Sequence, residues 1–146
     1  MIRPLRPRLF LLILPWFLLA VPLHAQTTTV RDAHGRIVAF EQRDSSGRIT
    51  IRDPVGRVTG RREPGPGGAI VHRDGQGRVV ATETRDNSGL TVIRDAQGRV
   101  TGMREPAGGG MTTLRDAQGQ VIGTETRDPS GRVVVRDAEG RVVMTR

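Results

Sequence analysis

The chain is 146 residues long and has 23 arginines, no lysine, 15 carboxylates and no cysteine, for a formal charge of +8. The missing cysteine excludes a disulfide framework, a thiolate nucleophile and cysteine-based zinc binding. With one tryptophan, three phenylalanines and no tyrosine, a core built on aromatic rings is excluded as well. The arginine excess favours anionic partners such as nucleic acid, polysaccharide or phospholipid headgroups, although a GC-rich coding sequence also accounts for arginine in place of lysine.

Residues 1–25 read as a signal peptide. Arg3, Arg6 and Arg8 form a basic start, Leu9 to Leu23 an apolar run of 15 residues, and Leu23-His24-Ala25 a small-residue cleavage end. Pro15 and Pro22 interrupt that run, which is shorter than the roughly 18–20 residues of a spanning helix. Cleavage after Ala25 and export to the periplasm or the outside are expected, with no cysteine at the junction to carry a lipid. The chain from Gln26 then carries +5 and keeps Phe40 as its single aromatic residue.

From Arg31 onward the sequence is a tandem array. Arg-Asp pairs start at 31, 52, 73, 94, 115 and 136, each 21 residues after the last. A second set alternates between Arg-Asp (43, 85, 127) and Arg-Glu (62, 104), so the full unit is 42 residues, with copies at 31–72, 73–114 and an incomplete 115–146. Most aspartates open the string D-x-x-G-R, as in Asp32 to Arg36 and Asp95 to Arg99. The aspartate can accept from an N–H two residues on, glycine supplies the left-handed conformation, and arginine falls opposite the aspartate across a hairpin.

Short β-branched segments lie between the turns: Val79 to Thr84, Leu90 to Ile93, Val100 to Met103, Met111 to Leu114, Val133 to Val135. They are too short and too often broken by glycine or proline for helix. The expected fold is all-β, a tandem β-hairpin repeat laid out as an antiparallel meander. One edge would carry the regular Arg-Asp turns. The other would carry serine turns (Asp44 to Gly47, Asp86 to Gly89, Asp128 to Gly131) alternating with loops at Glu63 to Gly68 and Glu105 to Gly110. Simple alternation sets Leu90, Val92 and Val100 on one face and Ile93, Thr101 and Met103 on the other. Neither face is cleanly apolar, which leaves the register weakly specified. The sheet is therefore expected to curl on itself, to pair with another copy or partner, or to be only partly ordered. Arg146 falls mid-unit, which predicts an unpaired edge strand.

The string R-D-x-x-G-R-V at this spacing resembles the YD repeats of the bacterial Rhs family. Asp32, Asp53, Asp74, Asp95 and Asp137 match, each followed by Gly-Arg and Ile or Val, and Asp116 matches except for Gln120; the resemblance covers Arg31 to Val142. The family's tyrosine is arginine here in every copy. The resemblance implies β-sheet repeats with a structural, non-catalytic role, although this chain is too short to close a shell of the family's kind.

No catalytic, cofactor or metal constellation emerges. His34 and His72 read as exposed polar turn residues, since later copies hold Gln76 and Gln118 at the first position and Leu114 at the second. Each turn offers one aspartate among arginines, whereas calcium takes about 6–8 oxygens. Gly65 to Gly68 and Gly108 to Gly110 lack the Lys-Ser/Thr of a phosphate loop. A transmembrane barrel is not expected, because its strands need about 9–11 residues and aromatic girdles. Two functions remain: a non-catalytic exported structural or protein-interaction element, or a binder of anionic polysaccharide or lipid headgroups. The second would use Arg31, Arg52, Arg73, Arg94, Arg115 and Arg136. With no aromatic platform for stacking bases, nucleic acid is the less expected polyanion.

Overall fold

A computed structural model describes residues 26–146; the segment read as a signal peptide lies outside the described residues. Twelve strands follow in order: β1 (Gln26–Asp32), β2 (Ile37–Arg43), β3 (Ile49–Arg52), β4 (Val58–Pro64), β5 (Ile70–Asp74), β6 (Val79–Arg85), β7 (Thr91–Asp95), β8 (Val100–Gly108), β9 (Met111–Asp116), β10 (Val121–Arg127), β11 (Val133–Asp137) and β12 (Val142–Thr145). A single 3₁₀ turn, Pro66–Gly68, lies between β4 and β5. Each strand pairs antiparallel with the next, and β12 pairs with β1, so the meander closes into a barrel.

Nine of the eleven connections are Asp-x-x-Gly turns, and the expected chemistry is present in each. The glycine N–H donates to the aspartate carbonyl at 2.9–3.1 Å, and the aspartate N–H donates to the carbonyl four residues on at 2.9–3.0 Å. The nine glycines have φ between 77° and 89°, a region that costs other residues about 1–2 kcal/mol. The aspartate Oδ1 accepts from backbone amides two and four residues on, as at Asp95, where Gln97 and Arg99 both donate at 2.9 Å. The expected cross-strand ion pair forms at Asp32–Arg36, Asp74–Arg78, Asp95–Arg99 and Asp137–Arg141. The six Arg-Asp turns gather on one rim of the barrel. The serine turns and the two Glu-Pro loops gather on the other.

Closure replaces the open or curled sheet expected from the sequence, and the unpaired edge strand at Arg146 is not there. Arg31 pairs with Thr145 and Asp32 with Met144, while Arg146 exchanges backbone hydrogen bonds with Val133. Thr28-Thr29-Val30-Arg31-Asp32 aligns with Thr112-Thr113-Leu114-Arg115-Asp116 of the repeat. The N-terminal strand thus supplies the strand that the incomplete third copy lacks. Twelve strands are three four-stranded units, related by an approximate threefold.

Every hairpin on the Arg-Asp rim also carries a bulge, where Val38, Thr59, Val80, Thr101, Ile122 and Val143 are each one residue too many for their partner strand. Bulges bend the strand and raise its twist, and six of them at regular intervals curve the sheet toward closure. They also change the faces. Val92 pairs with Met103 and Ile93 with Gly102, so Met103 lies with Val92 rather than with Ile93. Strict alternation misplaces it because the surplus residue at Thr101 shifts the phase by one.

Few apolar side chains are fully buried. Val30, Val133 and Val135 are the buried apolar side chains among the described residues. Three buried glycines, Gly60, Gly102 and Gly123, bring strand backbones together. A Cβ on Gly60 or Gly102 would lie 3.0 Å from the carbonyl oxygen of Arg73 or Arg115, and one on Gly123 would collide with that of Arg136.

Candidate functional site: a charged lumen with one open side

A barrel of twelve strands encloses more space than eight strands leave, since diameter grows with strand number. This chain fills much of that space with charge. Glu41, Glu83 and Glu125 stand 42 residues apart on the inner face, as do Arg62, Arg104 and Arg146. They join as Arg62–Glu41 (2.5 Å), Arg104–Glu83 (3.0 Å) and Arg146–Glu125 (3.2 Å), each pair spanning the strand between. All three glutamates are at least three-quarters withdrawn from solvent. Carboxylates so placed need a partner, because an unpaired charge there is costly.

His72 belongs to this layer and is not an exposed turn residue. It lies on β5, pairs across the sheet with Arg62 and Ala81, and places Nε2 2.9 Å from Glu83 Oε1. In the other two units its position holds Val30 and Leu114. The close approach of His72 Nε2, together with the Arg104 and Arg62 charges, holds the Glu83 carboxyl below its ordinary value against the opposing effect of burial. His34 stays in an exposed turn, with its N–H on Asp32 Oδ1.

The six arginines of the predicted polyanion ladder occupy equivalent places around one rim. Each donates Nη1 to the carbonyl of its own turn glycine at 2.9–3.1 Å: Arg31 to Gly35, Arg52 to Gly56, Arg73 to Gly77, Arg94 to Gly98, Arg115 to Gly119 and Arg136 to Gly140. Arg73 and Arg115 are also tied to Glu63 and Glu105, at 2.5 and 2.9 Å. These side chains first close turns.

The other rim turns its arginines inward. Successive hairpins of a meander bend with opposite hand relative to the barrel wall, so the same Arg-Asp pair faces opposite ways on the two rims. Asp74 shares an inner row with Gly60, whereas on the opposite rim Arg43 shares one with Gln26 and Ile49. Arg43, Arg85 and Arg127 thus ring that end of the lumen. Sequence reasoning missed this ring and the glutamate–arginine layer, although the 42-residue spacing was visible.

The threefold fails at one place on this rim. Pro64 and Pro106 sit over the serine-turn glycines of two units. A Cβ on Gly47 would lie 3.7 Å from Pro64 Cγ, one on Gly89 3.1 Å from Pro106 Cγ, and one on Gly131 would meet nothing within 4 Å. Beside Gly131 lie Gln26 and Arg146, the first and last described residues. A cavity of about 270 Å³ opens there, lined by Gln26, Thr28, Glu41, Arg43, Ile49, Arg62, Arg127, Gly131, Val133 and Arg146. Arg43 and Arg127 make no ion pair among the described residues; Arg127 donates to the Gly131 carbonyl at 3.0 Å. Arg62 Nε is buried with no hydrogen-bond acceptor. No group of three or more His, Asp or Glu side chains among the described residues could hold a metal ion.

No known family model, curated protein or solved structure matches this chain.

Proposed function

We propose that the chain is a non-catalytic, exported barrel that serves as a structural or protein-interaction element of the cell envelope or its surroundings. The observation that carries this reading is a set of exposed aliphatic pairs at the bulges. Ile37-Val38, Val79-Val80 and Val121-Ile122 stand 42 residues apart and are each between 37% and 53% exposed. Repeated apolar pairs on an outer wall suit contact with another protein better than contact with a soluble anion. The resemblance to the structural Rhs-type repeats points the same way. Strands mostly of 4–7 residues, with threonine and arginine on the outer wall, argue against immersion in lipid.

The second reading, a polyanion binder, is favoured by charge distribution. The Arg-Asp rim gathers eleven arginines against seven carboxylates, and the rest of the described chain nine against eight. Chromatography on heparin separates the two readings. Elution well below about 0.15 M salt is expected for the interaction element, and retention beyond it would transfer the assignment to the polyanion binder.

A further inference from the structure

Among the described strand pairings, one sets two arginines directly opposite each other: Arg61 on β4 faces Arg73 on β5. Like charges so placed are destabilising. Both lie on the outer wall, since their chain neighbours Gly60, Arg62, His72 and Asp74 belong to inner rows. Arg61 also stands opposite Thr50 on β3, two residues before Arg52, so it fills the gap between two arginines of the rim ladder. The same gap holds Met103 beside Arg115 in the second unit and Thr145 beside Arg31 in the third. The wall is thus built elsewhere without a cation at this position. A residue that opposes a local pairing rule with no gain in packing marks a functional site.

We infer that Arg52, Arg61 and Arg73 form a docking site for an acidic segment of a partner protein. The trio spans three neighbouring strands, about 10 Å at the usual strand spacing. Like-facing side chains of an extended segment stand about 7 Å apart, close to the separation of diagonal neighbours on a sheet, so a pair of carboxylates can meet it. Donors remain for them. Arg52 gives Nη1 to the Gly56 carbonyl, and Arg73 gives Nη1 to Gly77 and Nε to Glu63, which engages only part of each guanidinium. Apolar groups border the charge: Phe40 lies directly opposite Arg52 on β2, and Val55, 75% exposed, sits in the turn that follows Arg52. That mixture suits a peptide better than a sugar polymer, and the dense charge is local, since Met103 and Thr145 interrupt it in the other units. The inference rests on reading the barrel as a protein-interaction element and names one partner chemistry for it.

The test uses the full chain as its host delivers it and the synthetic peptide acetyl-Glu-Leu-Glu-Ser-Glu-amide. Titration followed by NMR is expected to shift the signals of Arg52, Arg61 and Arg73 and to leave those of Arg115 and Arg136 in place. The Arg61→Met protein takes the residue that the second unit carries and is expected to melt no lower than the parent. It is expected to bind the peptide about tenfold more weakly, as loss of one charge-assisted contact implies. Unchanged affinity in Arg61→Met, or equal shifts at all six ladder arginines, would overturn the inference. A lower melting temperature of Arg61→Met would overturn it as well, by giving Arg61 a structural role. Binding to phosphatidylglycerol vesicles but not to the peptide, lost in Arg61→Met, would assign the trio to lipid headgroups instead. Cross-linking of the chain to other proteins that is lost on Ile122→Glu reports on the broader reading, so the two can fail separately.

Discussion

The two rims share the Asp-x-x-Gly turn and differ in its regularity and in the bulge that follows it. One repeats an Arg-Asp hairpin six times, each with its bulge, its glycine at positive φ and its arginine on the turn carbonyl. The other alternates serine turns with two Glu-Pro loops among the described residues. A tandem array with a fixed bulge has a fixed curvature, so regularity belongs to the rim that bends the sheet. The rim that can vary leaves the lumen accessible. The difference places the regular curvature at one end and the cavity of about 270 Å³ at the other.

The sharpest way to break this contrast is a methyl group. Gly123→Ala, on the regular side, drives Cβ into the Arg136 carbonyl oxygen and is expected to cost about 3 kcal/mol in a denaturant midpoint measurement. Gly131→Ala on the open side meets no atoms, so only its φ of 87° opposes it, at about 1–2 kcal/mol. Equal losses would mean that the two ends are equally packed. Between them falls Glu83→Gln, which strips His72 and Arg104 of their carboxylate in the lumen; about 2 kcal/mol is expected by thermal melting.

Turn aspartates sharpen the comparison further. Asp74→Ala removes acceptors for Gln76 N, Arg78 N and Arg78 Nε, and Asp86→Ala those for Ser88 N, Ser88 Oγ and Leu90 N. Each substitution is expected to lower the thermal midpoint, and by a similar amount on the two rims. Near-equality would identify backbone capping, common to both rims, as the main contribution. Arg78→Gln, which removes a rim ion pair 78% exposed on the arginine side, is expected to change stability by less than about 0.5 kcal/mol.

Acid acts on both rims together. Asp32, Asp74, Asp95 and Asp137 on one side, Asp44, Asp86 and Asp128 on the other, and Glu83 between them all have carboxyls held below their ordinary values. A group whose folded pKa is depressed stabilises the fold fully above its unfolded value and loses that contribution as pH falls through the folded one. The melting temperature should therefore drop as pH falls below about 4, with the carboxylate contribution complete above about pH 5. A melting temperature independent of pH between about 5 and 2 would contradict the capping role of these aspartates.

What the sequence disclosed follows from range. The Asp-x-x-Gly-Arg string encodes contacts within five residues, so turns, strand order and the assignment of turns to two rims were legible from Asp32, Gly35 and Arg36 and their copies. Closure was not, because it rests on Arg31 meeting Thr145. The match of Thr28-Thr29-Val30 to Thr112-Thr113-Leu114 was its available signal. The faces were misread at Met103 because a bulge adds one residue to a count of two. The inner Glu41–Arg62 layer was passed over because charges in a repeat of turns resemble a solvated surface. Only closure withdraws them from water.

Closure also leaves the barrel dependent on one short join. Eleven of the twelve strand pairings link neighbours in the chain, and a nascent hairpin forms them without waiting. The twelfth is the seam between β1 and β12, with two registered residue pairs and the largest loop to close. An opened seam exposes two strand edges of matching register, each of which fits the opposite edge of a second molecule as well as its own. Domain-swapped dimers formed at high concentration and slow to separate are the expected failure mode of this barrel.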